Sequence, residues 1–199
     1  MNLPAQEIVA LLAAMSFAAG LNVYATVATL GLLGRTGVLA MPPALHALEN
    51  GWVIGAAIAL FTVEFFADKI PAFDLIWNAL HTFIRVPVAA LLAWQATATL
   101  TPGEQLLAAM AGGLIALIAH GGKTAVRAAV TPSPEPVSNI ALSLGEDLLA
   151  VLLTWIATWQ PWVAISVVAV LVLITVLLVR WVIKALGVLL RRAEQALAG

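Results

Sequence analysis

Long apolar runs are the feature of this sequence that most constrains its fold. Six of them follow one another along the chain, each close to or above the roughly 20 residues that a helix needs to cross a bilayer. They are rich in Ala and Leu and lack the alternation of a barrel strand, so we expect helices separated by proline- and glycine-containing linkers. The predicted spans are 6–34, 51–68, 83–101, 105–127, 140–160 and 162–186.

Composition agrees with a membrane protein. Of the 199 residues, 63% are hydrophobic and 10% are charged, whereas soluble domains carry about 25% charged residues. A chain of this length cannot bury so much apolar surface in one aqueous core. The net charge of −1 argues against nucleic acid as a partner, and the lack of cysteine excludes disulfides and thiolate chemistry. We predict an all-α membrane protein, a single transmembrane domain of about six helices over residues 1–199, without a cofactor.

The first run is longer than one crossing requires, and it contains Gly20 and Asn22. Two interpretations remain open: a tilted helix, or two half-helices that break at this point. Asn22 and Tyr24 either line a pathway or bond a neighbouring helix.

The distribution of lysine and arginine predicts the orientation, because cytoplasmic loops carry an excess of both. With the N-terminus in the cytoplasm and six spans threaded alternately, Arg35 is the one cation at the outer face. We therefore expect a multi-pass protein of the cell (inner) membrane with both termini cytoplasmic. The cations at the cytoplasmic face are then Lys69, Arg85, Lys123, Arg127, Arg180, Lys184, Arg191 and Arg192.

A weak internal repeat is visible. IALFTVEFFADK resembles GGLIALIAHGGK, and VAALLAWQATATLTP resembles LLAVLLTWIATWQP. This predicts two helix–polar linker–helix units, 51–102 and 105–161, with a binding site at their interface. The alternative is chance similarity between two stretches of Ala/Leu-rich sequence.

The polar residues fall into three stripes, each with the spacing of one helix face. Stripes of opposite charge on three helices can neutralise one another inside a bundle. The acidic stripe is Glu64 and Asp68, the basic stripe is His120, Lys123 and Arg127, and the polar stripe is Asn139, Ser143 and Glu146.

The energetics of burial decide which of these residues need partners. An ionised side chain at the bilayer centre costs about 2.5–3.5 kcal/mol on insertion scales. Lysine and arginine can extend to the interface and act as simple surface anchors. The carboxylates of Glu64, Glu146 and Asp147 lie a turn or more inside the predicted spans, so they require partners or water. We expect the acidic stripe to approach the basic stripe, and Lys69 or Arg85 to approach Glu146 or Asp147.

These residues form a candidate substrate- or ion-binding site, with a bound metal left open. The predicted site residues are Glu64, Asp68, Lys69, Asp74, His81, Arg85, His120, Lys123, Arg127, Glu135, Asn139, Glu146 and Asp147.

Three segments resemble a known family, the domain-of-unknown-function family 4126. They are SFAAGLNVYATVATLGLLGRTG, VEFFADKIPAFDLIWNALHTFIRVPVAALLA and HGGKTAVRAAVTPSPEPVSNIALSLGED. The resemblance covers nearly the whole chain and implies an uncharacterised bacterial-type membrane protein with no established activity. The motif residues are the predicted site residues, without Arg85 and His120 and with Pro71 and Pro136 added. A more distant similarity is to cation exchangers with a Glu-x-Gly-Asp-Lys motif, from which the spacing of Glu64 and Asp68-Lys69 departs.

Three classes of function remain open. A transporter or channel for a small ion or polar solute is favoured, with Glu64 and Glu146 as ion- or proton-linked gates. The second class is an enzyme acting on a lipid or isoprenoid phosphate, with magnesium held by Asp68 and Asp74 or by Glu146 and Asp147. The third is a structural or accessory subunit whose charges fix helix register. The predicted partners are the lipid bilayer and a small ion or polar solute, and a homo-oligomer is left open.

Overall fold

The computed structural model describes residues 5–130 and 136–198, and within these ranges every regular element is a helix. The all-α prediction is therefore confirmed. The elements are α1 (Ala5–Leu21), α2 (Val23–Arg35), a short 3₁₀-helix (Pro43–Glu49), α3 (Gly51–Ala67), α4 (Pro71–Ala96), α5 (Pro102–Val130), α6 (Pro136–Trp159) and α7 (Pro161–Ala198).

Four of the described helices contain a segment long and apolar enough to cross a membrane. A fifth crossing results if the 3₁₀-helix and α3, which meet at an angle of 64°, are taken as one span. A multi-pass membrane protein is thus confirmed, but the six predicted spans are not reached. The four segments are Ile76–Ala96, Pro102–Arg127, Ile140–Trp159 and Pro161–Ala185.

The start of α4 differs from the sequence prediction. The segment KIPAFDLIWN was expected to be a linker before a span at 83–101, whereas α4 already begins at Pro71. Proline is favoured at the first helical position, where no backbone N–H is needed and φ is already helical. The polar residues after Pro71 therefore belong to the helix and not to a loop.

The first apolar run is broken at Asn22. This residue has an extended backbone (φ −149°, ψ 104°), and its Oδ1 accepts a hydrogen bond from the backbone N–H of Ala25 at 2.9 Å. The side chain thereby caps α2, as asparagine commonly does at a helix start. Of the two interpretations that the sequence left open, two half-helices is the one that the structure has.

The first half-helix runs alongside α5 in the same direction. Gly20 packs directly on the backbone of Ala116, and a Cβ atom there would also lie 2.8 Å from the Cβ of Ala119. One turn earlier, Ser16 lies beside Gly112, where a Cβ would be 2.9 Å from its Oγ. Because these contacts advance in the same direction along both helices, α1 and α5 are parallel.

The second half-helix runs back in the opposite direction. At its start, Tyr24 contacts His81 of α4, with 3.2 Å between the hydroxyl and Nε2. At its end, the Arg35 guanidinium donates to the carbonyl of Glu49, two residues before α3 begins. We call α1 and α2 the re-entrant hairpin, with its tip at Asn22. Both of its outer ends lie where α3 begins and α4 ends.

This reversal changes the predicted topology. The six-span threading assumed that 6–34 crosses the membrane once, but the hairpin enters and leaves at one end of the bundle. Starting from that same end, α7 extends to Ala198 at the other. The two ends of the described chain therefore lie at opposite ends of the bundle, so a cytoplasmic location for both does not follow from this fold. Hydropathy records the length of an apolar run but not its direction.

Candidate functional site

Ionisable side chains from four helices meet at the tip of the re-entrant hairpin. At a rise of about 1.5 Å per residue, those on α4, α5 and α6 lie between about 5 and 17 Å from the nearer helix ends. There are seven of these side chains; six are buried, and the side chain of Glu146 is 13% exposed. The charged cluster, as we name it, comprises the carboxylates of Glu64, Asp68, Glu146 and Asp147 and the cations Arg85, Lys123 and Arg127.

Lys123 on α5 lies at the centre of the charged cluster. Its Nζ is 2.8 Å from Oδ2 of Asp68, 3.3 Å from Oε2 of Glu146 and 3.8 Å from Oε1 of Glu64. It also donates to the carbonyl of Leu21, the last residue of α1, at 3.4 Å. One ammonium group thus joins α3, α5 and α6 to the hairpin tip.

Arg127 lies one helical turn further along α5. Its guanidinium bonds Oε2 of Glu146 at 2.8 Å, lies 3.7 Å from Oδ2 of Asp68 and donates to the backbone carbonyl of Asp68 at 3.0 Å. Burial alone would raise the pKa of the Asp68 carboxyl, but the Lys123 and Arg127 charges outweigh burial and hold that pKa below its usual range. Asp68 therefore stays ionised beside both cations.

Arg85 on α4 fixes the protonation state of a histidine. It forms an ion pair with Glu64, donates to Oδ1 of Asn78 at 3.0 Å and contacts Nδ1 of His120 at 2.8 Å. A guanidinium can only donate, so Nδ1 accepts and the ring is neutral. Its Nε2 proton then points to the Thr82 hydroxyl, 2.8 Å away.

His81 lies one turn before Arg85 and is not fixed in this way. Its Nδ1 donates to the carbonyl of Trp77 at 2.8 Å, and the ring stacks on that indole with 4.3 Å between centroids. Its Nε2 faces the hydroxyl of Tyr24, which can donate to the neutral ring or accept from the charged one. Of the two histidines, His81 is therefore the one able to exchange a proton.

Asp147 is the carboxylate of the charged cluster that takes part in none of the ion pairs among the described residues; like Glu64 and Asp68, it has one buried oxygen without a hydrogen-bond partner. Its Oδ1 accepts a hydrogen bond from Nδ2 of Asn22 at 2.8 Å, whereas its Oδ2 is buried without a hydrogen-bond partner. The hydroxyl of Ser143, one turn earlier on the same face of α6, is also buried without a partner. Unsatisfied buried polar atoms are rare and call for an explanation.

The predicted contact between the acidic and basic stripes is confirmed. The second predicted contact is not found among the ion pairs of the described residues. Arg85 pairs with Glu64, and the Lys69 ammonium donates to the carbonyl of Phe65 at 2.6 Å and lies 3.0 Å from the centre of that ring. Lys69 is an i+4 neighbour of Phe65, and this short local contact keeps it at the edge of the charged cluster.

Three predicted site residues cannot be placed. Glu135 lies outside the described residues, and so do the side chains of Asp74 and Asn139, although both belong to helices. Conversely, sequence reasoning missed Asn78 and Thr82. The spacing of Asn78, His81 and Arg85 by three and seven residues repeats that of the basic stripe on α5, and this signal could have identified the asparagine.

No three His, Cys, Asp or Glu side chains in the described part of the chain are arranged to hold a metal ion. In the enzyme alternative, Asp68 and Glu146 were each predicted to share a magnesium ion with another carboxylate. Both side chains instead contact Lys123 and Arg127.

A comparison with protein-family models agrees with the motifs above. The model described as "Domain of unknown function (DUF4126)" matches residues 9–181, which include all but the first four residues of the re-entrant hairpin and the whole charged cluster. The chain belongs to this family. No curated protein and no solved structure matches the chain. Membership therefore brings no activity with it, and function has to be argued from the site.

Proposed function

We propose that this protein is a membrane transporter or channel for a small ion or polar solute, and that the charged cluster at the hairpin tip is its site. The observation that carries the proposal is the meeting of a broken, re-entrant helix pair with seven ionisable groups, six of them buried. Broken helices at membrane depth are tolerated where they are enclosed by protein or line a pathway. In secondary transporters, such breaks supply the backbone groups and charges that bind the substrate.

The energetic cost of the charged cluster supports a functional role. Each buried ion carries a desolvation penalty of several kcal/mol, and apolar residues of similar volume often stabilise a core at least as well. Ionisable residues inside membrane segments accordingly tend to mark ion pathways and proton relays. The structural-subunit alternative explains the ion pairs as fixers of helix register, but it does not explain the unpartnered atoms of Asp147 and Ser143.

The lipid-phosphate alternative is less well supported. A phosphate site needs cations that are free to contact it. The cations proposed to hold the phosphate are Lys69, Lys123 and Arg127. Lys123 and Arg127 each contact a carboxylate within hydrogen-bond distance, and Lys69 donates to the carbonyl of Phe65, so a phosphate would have to displace those partners.

The proposed gates differ in access. Glu146 is partly exposed at the edge of the charged cluster, whereas Glu64 is sealed inside it. In this proposal Glu146 meets the solute first, and Lys123, which contacts both carboxylates, links the two. Glu64 becomes accessible to the solute when the Lys123 ammonium moves so that it contacts one of these two carboxylates and not both.

The repeat and the orientation belong to the same proposal. Units 51–102 and 105–161 correspond to the pairs α3–α4 and α5–α6, and each contributes acidic and basic groups to the charged cluster. We place the charged-cluster end of the bundle in the cytoplasm of a cell bounded by an inner membrane, because the cations of α7 follow at that end. The C-terminus is then cytoplasmic and the N-terminal end of α1 is outside.

Flux through liposomes tests the proposal. Purified protein is reconstituted, gradients of H⁺, Na⁺ and K⁺ are imposed one at a time, and internal fluorescent dyes report their decay. We expect at least one gradient to decay faster than in protein-free liposomes. If none does at verified protein content and folding, the ion-transport form of the proposal is wrong. Release of phosphate from an added isoprenoid phosphate would instead favour the enzyme alternative.

A further inference from the structure

We propose that Asp147, together with Asn22 and Ser143, binds one monovalent cation, a proton or a sodium ion, at the tip of the re-entrant hairpin. This inference rests on the proposed function and deepens it by naming the class of ion. Binding itself can be measured without any transport, so the two claims can fail separately.

The charges of the seven groups that form the charged cluster do not balance among themselves; Lys69 lies outside the charged cluster, at its edge. The charged cluster holds four carboxylates and three permanent cations, since its nearest histidine, His120, is neutral. The ion pairs engage Glu64, Asp68 and Glu146 but not Asp147. A buried site with one carboxylate in excess is costly, and one bound positive charge removes that cost.

The contacts around Asp147 leave two buried oxygen atoms available to that positive charge. Asn22 donates to Oδ1 and leaves Oδ2 unoccupied, and Oδ1 of Asn22 is itself engaged by the N–H of Ala25. The Ser143 hydroxyl, which lacks a partner, lies on the same face of α6. A proton on Oδ2 supplies the missing donor, whereas a sodium ion is coordinated by carboxylate and hydroxyl oxygens. Both ions satisfy the same unpartnered atoms.

The charged groups on the elements packed around Asp147 are engaged elsewhere. The charges that act on Asp147 are those of Lys123 on α5 and of Asp68 and Glu64 at the end of α3, and Lys69 acts from the edge. Lys123 is shared among three other carboxylates, and Lys69 is bound to Phe65. From the hairpin comes the uncharged Asn22, and the nearest cation of α7, Arg180, is exposed. None of the ion pairs among the described residues includes Asp147.

Thermal unfolding tests the binding. The intact protein in detergent is heated while its tryptophan fluorescence is followed, with sodium replaced by choline at constant ionic strength and with pH varied separately. A ligand that binds only the folded state raises its Tm. We expect either sodium or acidification towards pH 5 to raise the Tm of the parent protein by about 3 °C. We expect Asp147→Asn, whose neutral amide needs no cation, to lose that response, while the exposed control Glu104→Gln keeps it.

The response identifies the ion. A rise with sodium at fixed pH assigns sodium, and a rise with acid alone assigns the proton. If Asp147→Asn does not fold, Ser143→Ala decides: a weakened sodium response or a displaced pH midpoint supports the site. The proposal is overturned if neither cation shifts the Tm, or if the variant that folds responds like the parent protein. A positive Tm response without flux would retain the binding site and reject the transporter.

Discussion

Asn22 and Asp147 are 125 residues apart in sequence and are joined by a 2.8 Å hydrogen bond at the centre of the bundle. The same asparagine ends one half-helix, caps the next and holds a carboxylate on α6. The path of the backbone and the state of the carboxylate are thereby connected. A cation that binds Asp147 therefore also acts on Asn22, the residue at which the re-entrant hairpin turns.

The ion pair between Glu64 and Arg85 should make a large contribution to stability. Both side chains are fully buried, so Glu64→Gln leaves an uncompensated guanidinium and should destabilise the fold by about 3–5 kcal/mol. Arg85→Gln leaves the Glu64 carboxylate with Lys123, 3.8 Å away, as its remaining cation, and should cost less. Denaturant unfolding in mild detergent measures both losses.

The double variant Glu64→Gln with Arg85→Gln is the matched control for this pair. Because neither charge is then left alone, its loss should be clearly smaller than the sum of the two single losses. Strictly additive losses would mean that the two groups do not interact in the folded protein.

Two glycines of α5 should respond in opposite ways to the same substitution. A Cβ on Gly112 would lie 2.7 Å from that of Ala93 and 2.9 Å from Oγ of Ser16, so Gly112→Ala should destabilise by about 1–3 kcal/mol. A Cβ on Gly121 would meet nothing within 4 Å, and Gly121→Ala should stabilise by about 0.4–1 kcal/mol. Thermal unfolding compares the two. Equal shifts would contradict the close packing of α1 against α5.

Cysteine labelling tests the re-entrant hairpin, since the chain has no native cysteine. Single cysteines at Glu7, Thr36 and Gly103 should all react with an impermeant reagent from the outer face. In the proposed orientation, a cysteine at Arg191 should react only from the cytoplasmic face, because α7 ends at the charged-cluster end of the bundle. If Glu7 and Thr36 react from opposite faces, 6–34 crosses the membrane once and the six-span threading is restored.

Asp68 should contribute to stability at neutral pH and lose that contribution in acid. Its folded-state pKa is held below the ordinary aspartate value of about 3.9 by Lys123 and Arg127, after the opposing effect of burial. The stabilisation is therefore complete above that ordinary value and is lost as the pH falls through the lower folded-state pKa. Asp68→Asn should have a lower Tm at pH 7 and a flatter acid profile than the parent protein. Parallel profiles would contradict the assignment.

The contact between the acidic and basic stripes could be predicted because helical spacing shows which charges share a face and deep carboxylates require cations. The turn at Asn22 could not be predicted from the same reasoning, since an apolar run looks alike whether it continues or reverses. The contributions of Asn78 and Thr82 were missed because burying an uncharged polar side chain costs less than burying a charge, so the sequence alone does not require a partner for it. Lys69 forms no ion pair in the described part of the chain, because its ammonium is held by the carbonyl and ring of Phe65, four residues earlier; the Asp147 charge acts on it from further away.

Ion movement across the membrane should depend on the Asp147 carboxylate at the hairpin tip. The most direct test compares cation flux into liposomes containing equal amounts of the parent protein, Asp147→Asn and the exposed control Glu104→Gln. We expect the parent protein and Glu104→Gln to dissipate the same cation gradient, and Asp147→Asn, although folded, to reduce the rate at least tenfold. Equal flux in all three proteins would contradict this role for Asp147.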